Sequence, residues 1–169
     1  MHRFQCSTAA RILGLGLFLA SLGAMAAEPA RNNPADTLKV REVEVTFHRA
    51  GSVLPQTDLN LMMSLYADDA VLIDTAHDNK TYTGKDQVRD FFQNVAAPFR
   101  PGNHWIGYTP AMRIRTEVDG NKATLYFECL WMDADKNSIG AHSFSDMTLV
   151  RSGDKWLVKT IKVGKVDKL

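Results

Sequence analysis

The sequence predicts an α+β domain: three helices with one early strand, then four antiparallel strands in a meander. Three observations carry that expectation. Apolar residues recur at helical spacing in three segments before Pro98. From Met112 onward apolar and polar residues alternate. Turn residues, Asp119-Gly120 and Ser152-Gly153-Asp154, interrupt that alternation at hairpin intervals. The 169 residues are 45% hydrophobic and 23% charged, an ordinary globular composition without repeats or low-complexity tracts.

Each element has a local reason. Asn33 before Pro34 is an N-cap followed by proline in the first turn. Val40, Val43, Phe47 and Ala50 then line one helical face, although Val43, Val45 and Phe47 also alternate as a strand would. Gly51 and Pro55 close the segment. Thr57 is the expected cap of a second helix carrying Leu59, Met62 and Tyr66, ended by Ala67-Asp68-Asp69. Residues 70–74 read as a short strand and 75–82 as a polar loop. Thr83 is the expected cap of a third helix, where Val88, Phe91, Phe92 and Val95 follow the i, i+3, i+4, i+7 rule. Pro98, Pro101 and Gly102 stop it. The four strands are expected at 112–118, 122–132, 138–151 and 155–163.

The N-terminus reads as an address. Arg3 and Arg11 flank the start, residues 12–22 are apolar, and Ala24-Met25-Ala26 is a small-x-small cleavage site. The apolar run is shorter than the roughly 20 residues a membrane span needs. Residues 1–26 are therefore expected to be a cleaved signal and 27–33 a flexible lead-in, with 34–169 as one domain. The mature chain would be periplasmic or secreted, with no membrane attachment. The formal charge is +1, so no basic excess exists to neutralise a phosphate backbone, and nucleic acid is not an expected partner. Cys6 leaves with the signal. Cys129, within Leu125-Tyr126-Phe127-Glu128-Cys129-Leu130-Trp131, reads as a buried small apolar side chain.

Three segments carry a family resemblance. They are residues 61–72 (Leu-Met-Met-Ser-Leu-Tyr-Ala-Asp-Asp-Ala-Val-Leu), Tyr82-Thr83-Gly84-Lys85 ahead of Phe91-Phe92, and Gly153-Asp154-Lys155-Trp156-Leu157-Val158. In their order and spacing the chain resembles the SnoaL-like branch of the nuclear transport factor 2-like superfamily, over roughly residues 34–165. The resemblance implies helices packed in the concave face of a curved, mostly antiparallel sheet, a cystatin- or ketosteroid-isomerase-like cone with a pocket inside. It also implies frequent dimers. The scaffold serves isomerases, dehydratases, cyclases and non-catalytic binding subunits, so the fold does not fix the activity.

Site residues follow from the closing hairpin. A loop centred on Gly153 pairs Val150 with Trp156, Thr148 with Val158 and Asp146 with Thr160. Phe144, Asp146 and His142 then share a face with Trp156, taken as the pocket side. On that face Asp146 is the candidate general base, with His142 or Tyr66 as its proton partner. The resemblance adds that SnoaL-like cyclases carry an acidic group on a late strand. The plainer readings are Asp146 hydrogen-bonded to Thr160, His142 in solvent and Tyr66 in the core. Strand 122–132 has two registers. One turns Leu125, Phe127, Cys129 and Trp131 inward, and it is preferred because it buries the aromatics. The other turns Tyr126, Glu128 and Leu130 inward and sets Glu128 beside His142. Trp105, Phe127, Trp131, Phe144 and Trp156 are the expected ligand-binding aromatics, with His104, Trp105 and Tyr108 as a rim.

His77, His104 and His142 share no carboxylate at ligand spacing, and no Gly-rich phosphate cradle or Gly-x-Ser-x-Gly elbow occurs. Neither a metal nor a cofactor is therefore expected. Met147, Leu149, Leu157, Ile161 and Val163 would form an apolar outer sheet face, suited to a homodimer or covered by the chain's own first helix. The functional expectation is an exported protein binding a small apolar or aromatic molecule. The alternatives are a cofactor-free lyase or isomerase using Asp146, and a non-catalytic dimerisation or partner-binding domain.

Overall fold

A computed structural model of the chain describes residues 31–52, 56–99, 102–107 and 111–166. The signal pattern, most of the lead-in and Tyr108 lie outside them. Asn33 opens helix α1 (Pro34–Gly51), its side chain accepting the Ala35 N–H at 2.9 Å and the Asp36 N–H at 3.4 Å. Val40, Val43, Phe47 and Ala50 are all buried, so the segment is the helix and not the strand. Helix α2 (Leu59–Met63) is capped by Asp58, one residue beyond Thr57, through the Leu61 N–H at 2.8 Å. Strand β1 (Tyr66–Asp74) begins earlier than expected and takes in Ala67, Asp68 and Asp69.

Two short strands gave no sequence signal. Strand β2 (Lys80–Thr83) lies in the expected polar loop and pairs antiparallel with β1. Strand β3 (Trp105–Gly107) pairs with the end of the fifth strand. Both are too short for alternation to show. Helix α3 (Lys85–Asp90) starts after Gly84 rather than on a Thr83 side-chain cap. Instead the Gln87 side chain reaches back to accept the Thr83 N–H at 2.9 Å. The helix continues as a π turn over Phe91–Val95, burying Phe91 and Phe92.

The meander follows as β4 (Met112–Asp119), β5 (Lys122–Asp133), β6 (Ser138–Ser152) and β7 (Lys155–Lys165). The sheet order is β2-β1-β7-β6-β5-β3, with β4 also on β5. Only the β1–β7 pairing is parallel. The helices pack on the face carrying Leu125, Phe127, Cys129 and Trp131, all buried, which is the preferred register of β5. Phe47 of α1 seals the contact edge-on to Phe127, with ring centres 5.6 Å apart.

The closing hairpin differs from expectation by one residue, and the difference inverts a face. The turn contains only Gly153 and Asp154, with Ser152 opposite Lys155 and Gly153 at φ 59°, where a two-residue turn favours glycine. Trp156 therefore faces Arg151 instead of Val150. Trp156 does point into the core, so the inward set of β6 is Ser143, Ser145, Met147 and Leu149. Asp146 is exposed to solvent on the opposite face. A bulge after Val158 restores the parity of β7 and turns Ile161 inward as well. Met147, Leu149 and Ile161, expected on an apolar outer face, are core residues under the chain's own helices and offer no surface to a second subunit. Among the described residues no helix is long and apolar enough to cross a membrane.

Candidate functional site

Where β6 begins and β1 and β7 end, the sheet curls away from the helices and leaves a cavity of about 620 Å³. Phe47, Met62, Phe91, Phe92 and Phe99 form its helical wall, and Trp131 and Trp105 close the sheet side. The π turn matters here. Its wider pitch carries the chain from Phe91 into residues 97–99, which form part of the rim. Trp105 lies flat against Gly140, where a Cβ would stand 2.6 Å from the indole ring. Only glycine admits the tryptophan at that place.

Few polar groups reach this apolar hollow. On the strands they are Asp74, Ser143 and Ser145, with His77 at the lip. Asp74 continues the inward stripe Ala70, Leu72 along β1, and it is buried. It lies in one row across the sheet with Val163 and Ser145. Its Oδ2 meets His77 Nδ1 at 2.6 Å, and its Oδ1 accepts the Ala76 N–H at 3.0 Å. His77 is 63% exposed by side chain. With Nδ1–H held by the carboxylate, Nε2 is the nitrogen left for a cavity ligand. Sequence reading missed this pair. The available signal was a carboxylate ending an apolar i, i+2, i+4 stripe, followed three residues later by a histidine.

A second buried group lies behind the wall. Glu44 and His48 on α1 are almost fully buried, with Glu44 Oε1 2.7 Å from His48 Nδ1. His48 Nε2 is 2.7 Å from Cys129 Sγ. Burial pushes the Cys129 thiol far above its ordinary range, and the Glu44 charge adds to that effect. The sulfur is a neutral thiol, in keeping with a core residue and not a nucleophile.

The expected site residues scatter. Trp105 and Trp131 line the cavity as anticipated. His142 and Phe144 reach it only at the rim, since their side chains belong to the opposite sheet face beside Leu130 and Glu128. Asp146 is turned away for the reason given above. Tyr66 is fully buried, its hydroxyl has no hydrogen-bond partner, and burial pushes the phenol far up. Phe127 is sealed in the core and Trp156 lies under the Arg151 guanidinium, 4.9 Å from its ring centre. Neither lines the cavity.

His142 does meet a carboxylate, on the outer face. Glu128 is 3% exposed there and accepts from Tyr126 Oη at 2.8 Å, His142 Nε2 at 2.9 Å and Arg113 Nη1 at 3.0 and 3.2 Å. Arg113 reaches it from a bulged position with φ 48°. Burial alone would push Glu128 up. The hydrogen bonds from Tyr126 and Arg113, the Arg113 charge and His142 outweigh it and hold the carboxyl below its ordinary value. The partnership of the second β5 register is thus present although the first register holds. Among the described residues no group of three or more His, Cys, Asp or Glu is placed to hold a metal ion.

Comparison with known proteins places this geometry. The family model described as SnoaL-like domain matches residues 35–162. No curated protein matches the sequence. Solved structures do. An NTF2-like protein of unknown function from Pseudomonas putida superposes with a TM-score of 0.67 at 15% identity, covering 81% of this chain and 91% of its own. An NTF2-like protein with a cystatin-like fold from Novosphingobium aromaticivorans gives 0.64 at 13%, covering 80% and 85%. A hexachlorocyclohexane dehydrochlorinase from Novosphingobium barchaimii gives 0.60 at 18%, covering 77% and 86%. At these identities the likeness is one of fold.

Proposed function

This chain belongs to the SnoaL-like domain family, and on that premise we propose that its cone takes up one small, largely apolar molecule. The observation that carries the reading is the cavity of about 620 Å³, walled by phenylalanines and tryptophans with few polar groups. That is the size and lining of a small-molecule site. The N-terminal three-part pattern supports export, with the periplasm or the exterior as the place of action. The test is native mass spectrometry of the full chain expressed with export. The expected result is a mature protein beginning at Ala27 that carries a releasable small mass. A protein free of any adduct that also fails to take up naphthalene would overturn the binding reading.

One observation favours a second reading, a cofactor-free lyase or isomerase. The Asp74–His77 pair stands at the cavity edge with a free imidazole nitrogen. His77 Nε2 would take a proton from a substrate carbon while the C–H electron pair forms the new double bond and expels the leaving group. The dehydrochlorinase relative is named for an elimination. Chloride release from hexachlorocyclohexane, lost in His77→Gln, would support this reading. No release above buffer would count against it. Asp146 and Tyr66 have no part in it, one being in water and the other sealed.

A further inference from the structure

The buried groups behind the cavity form a chain with one direction. His48 Nδ1 faces two acceptors, the Glu44 carbonyl oxygen at 3.0 Å and Glu44 Oε1 at 2.7 Å. A carbonyl can only accept, so Nδ1 carries the ring proton. Glu44 Oε1 also accepts the Ala111 N–H at 3.1 Å. Nε2 then presents its lone pair to Cys129, 2.7 Å away, and the thiol S–H donates to it. Ser143 stands directly opposite Cys129 across β5 and β6, and its hydroxyl hydrogen-bonds the sulfur. With the thiol proton already given to His48, the sulfur can only accept, so Ser143 supplies the hydrogen. Trp131 Nε1 donates to Ser143 Oγ at 2.9 Å and fills one of its lone pairs.

Ser143 lines the cavity. Its proton is committed inward and one lone pair is taken, so a single lone pair remains for a ligand. We propose that Ser143 is an acceptor-only anchor of the cavity, set by the Glu44–His48–Cys129 chain, and that the ligand carries an O–H or N–H donor on an apolar body. This deepens the binding reading above and rests on it. The physical reason is selectivity by unmet hydrogen bonds. An ether or ketone brings only acceptors to an acceptor and leaves both unsatisfied, whereas an alcohol, phenol or amine pairs with it. Cys129 is a positioning residue here, acting through Ser143 and not on the ligand.

The test compares 2-naphthol with 2-methoxynaphthalene, which share a ring system and differ in the donor. Affinities for the full chain are measured by quenching of naphthalene fluorescence. The wild type is expected to favour naphthol by about tenfold, the value of one net hydrogen bond. Cys129→Ser can both donate and accept, and is expected to keep that ratio. Cys129→Ala frees the Ser143 proton to donate, and the ratio is expected to fall toward one. If Cys129→Ala does not fold, Ser143→Ala serves instead. It should lose the ratio by weakening naphthol alone, leaving the methyl ether unchanged. A wild-type ratio of one or less with both probes bound overturns this inference and leaves the binding reading standing. An undiminished ratio in Ser143→Ala does the same. Failure of the wild type to bind either probe overturns both.

Discussion

Each face of the sheet buries a carboxylate beside a histidine, and the two pairs are built to opposite ends. On the outer face Glu128 takes hydrogen bonds from Tyr126, Arg113 and His142, and its oxygens have nothing left to offer. On the inner face Asp74 takes one imidazole and one backbone N–H at the edge of a cavity. A carboxylate with all its hydrogen bonds satisfied by the protein holds strands together. One that keeps spare acceptor capacity beside an open hollow is available to a ligand. Burial alone does not separate the cases, since both are nearly inaccessible.

The largest expected effect lies in the inner face's core. Phe127→Ala removes a fully buried ring wedged against Phe47 and should cost about 3–5 kcal/mol in urea unfolding. Phe144→Ala, on the outer face, loses only a half-buried ring stacked on Tyr126 at 6.2 Å and should cost distinctly less. Equal costs would mean that the faces are assigned wrongly. Next comes Glu128→Gln, which weakens the Arg113 and His142 contacts and should cost about 1–3 kcal/mol at neutral pH.

The same cluster sets an acid dependence. The folded carboxyl lies below the ordinary glutamate value of about 4.3. Its contribution is therefore complete above that pH and is lost as pH falls through the lower folded value. Wild-type stability should drop there more steeply than that of Glu128→Gln, and parallel curves would contradict the role given to the cluster. The smallest effect is Asp146→Asn, which should leave both the unfolding midpoint and ligand uptake unchanged, because the side chain is in water.

The elements that sequence reading recovered are those with long periodic runs. Helix α1, the four strands of the meander and the inward stripe of β5 repeat their pattern often enough to fix type and face. The face of β6 was lost at one point, the length of the turn at Gly153. Period-two structure turns a single residue of turn length into an exchange of Asp146 for Ser145 and Met147. No periodicity within β6 could have settled it, because Phe144, Val150, Met147 and Leu149 leave both faces apolar. The Asp74–His77 and Glu44–His48–Cys129 groups were hidden for another reason. Cys129 and the α1 pair are 81 residues apart in sequence, and only the packing of α1 on β5 brings them together.

Methionine methyl resonances test the central claim most directly. Met62 lines the cavity, while Met147 is equally buried on the same face but away from it. With methyl-labelled methionines and a titration of naphthalene, Met62 should shift to saturation while Met147 stays in place. An unmoved Met62, or a response at Met147 in its stead, would contradict a ligand-binding cone.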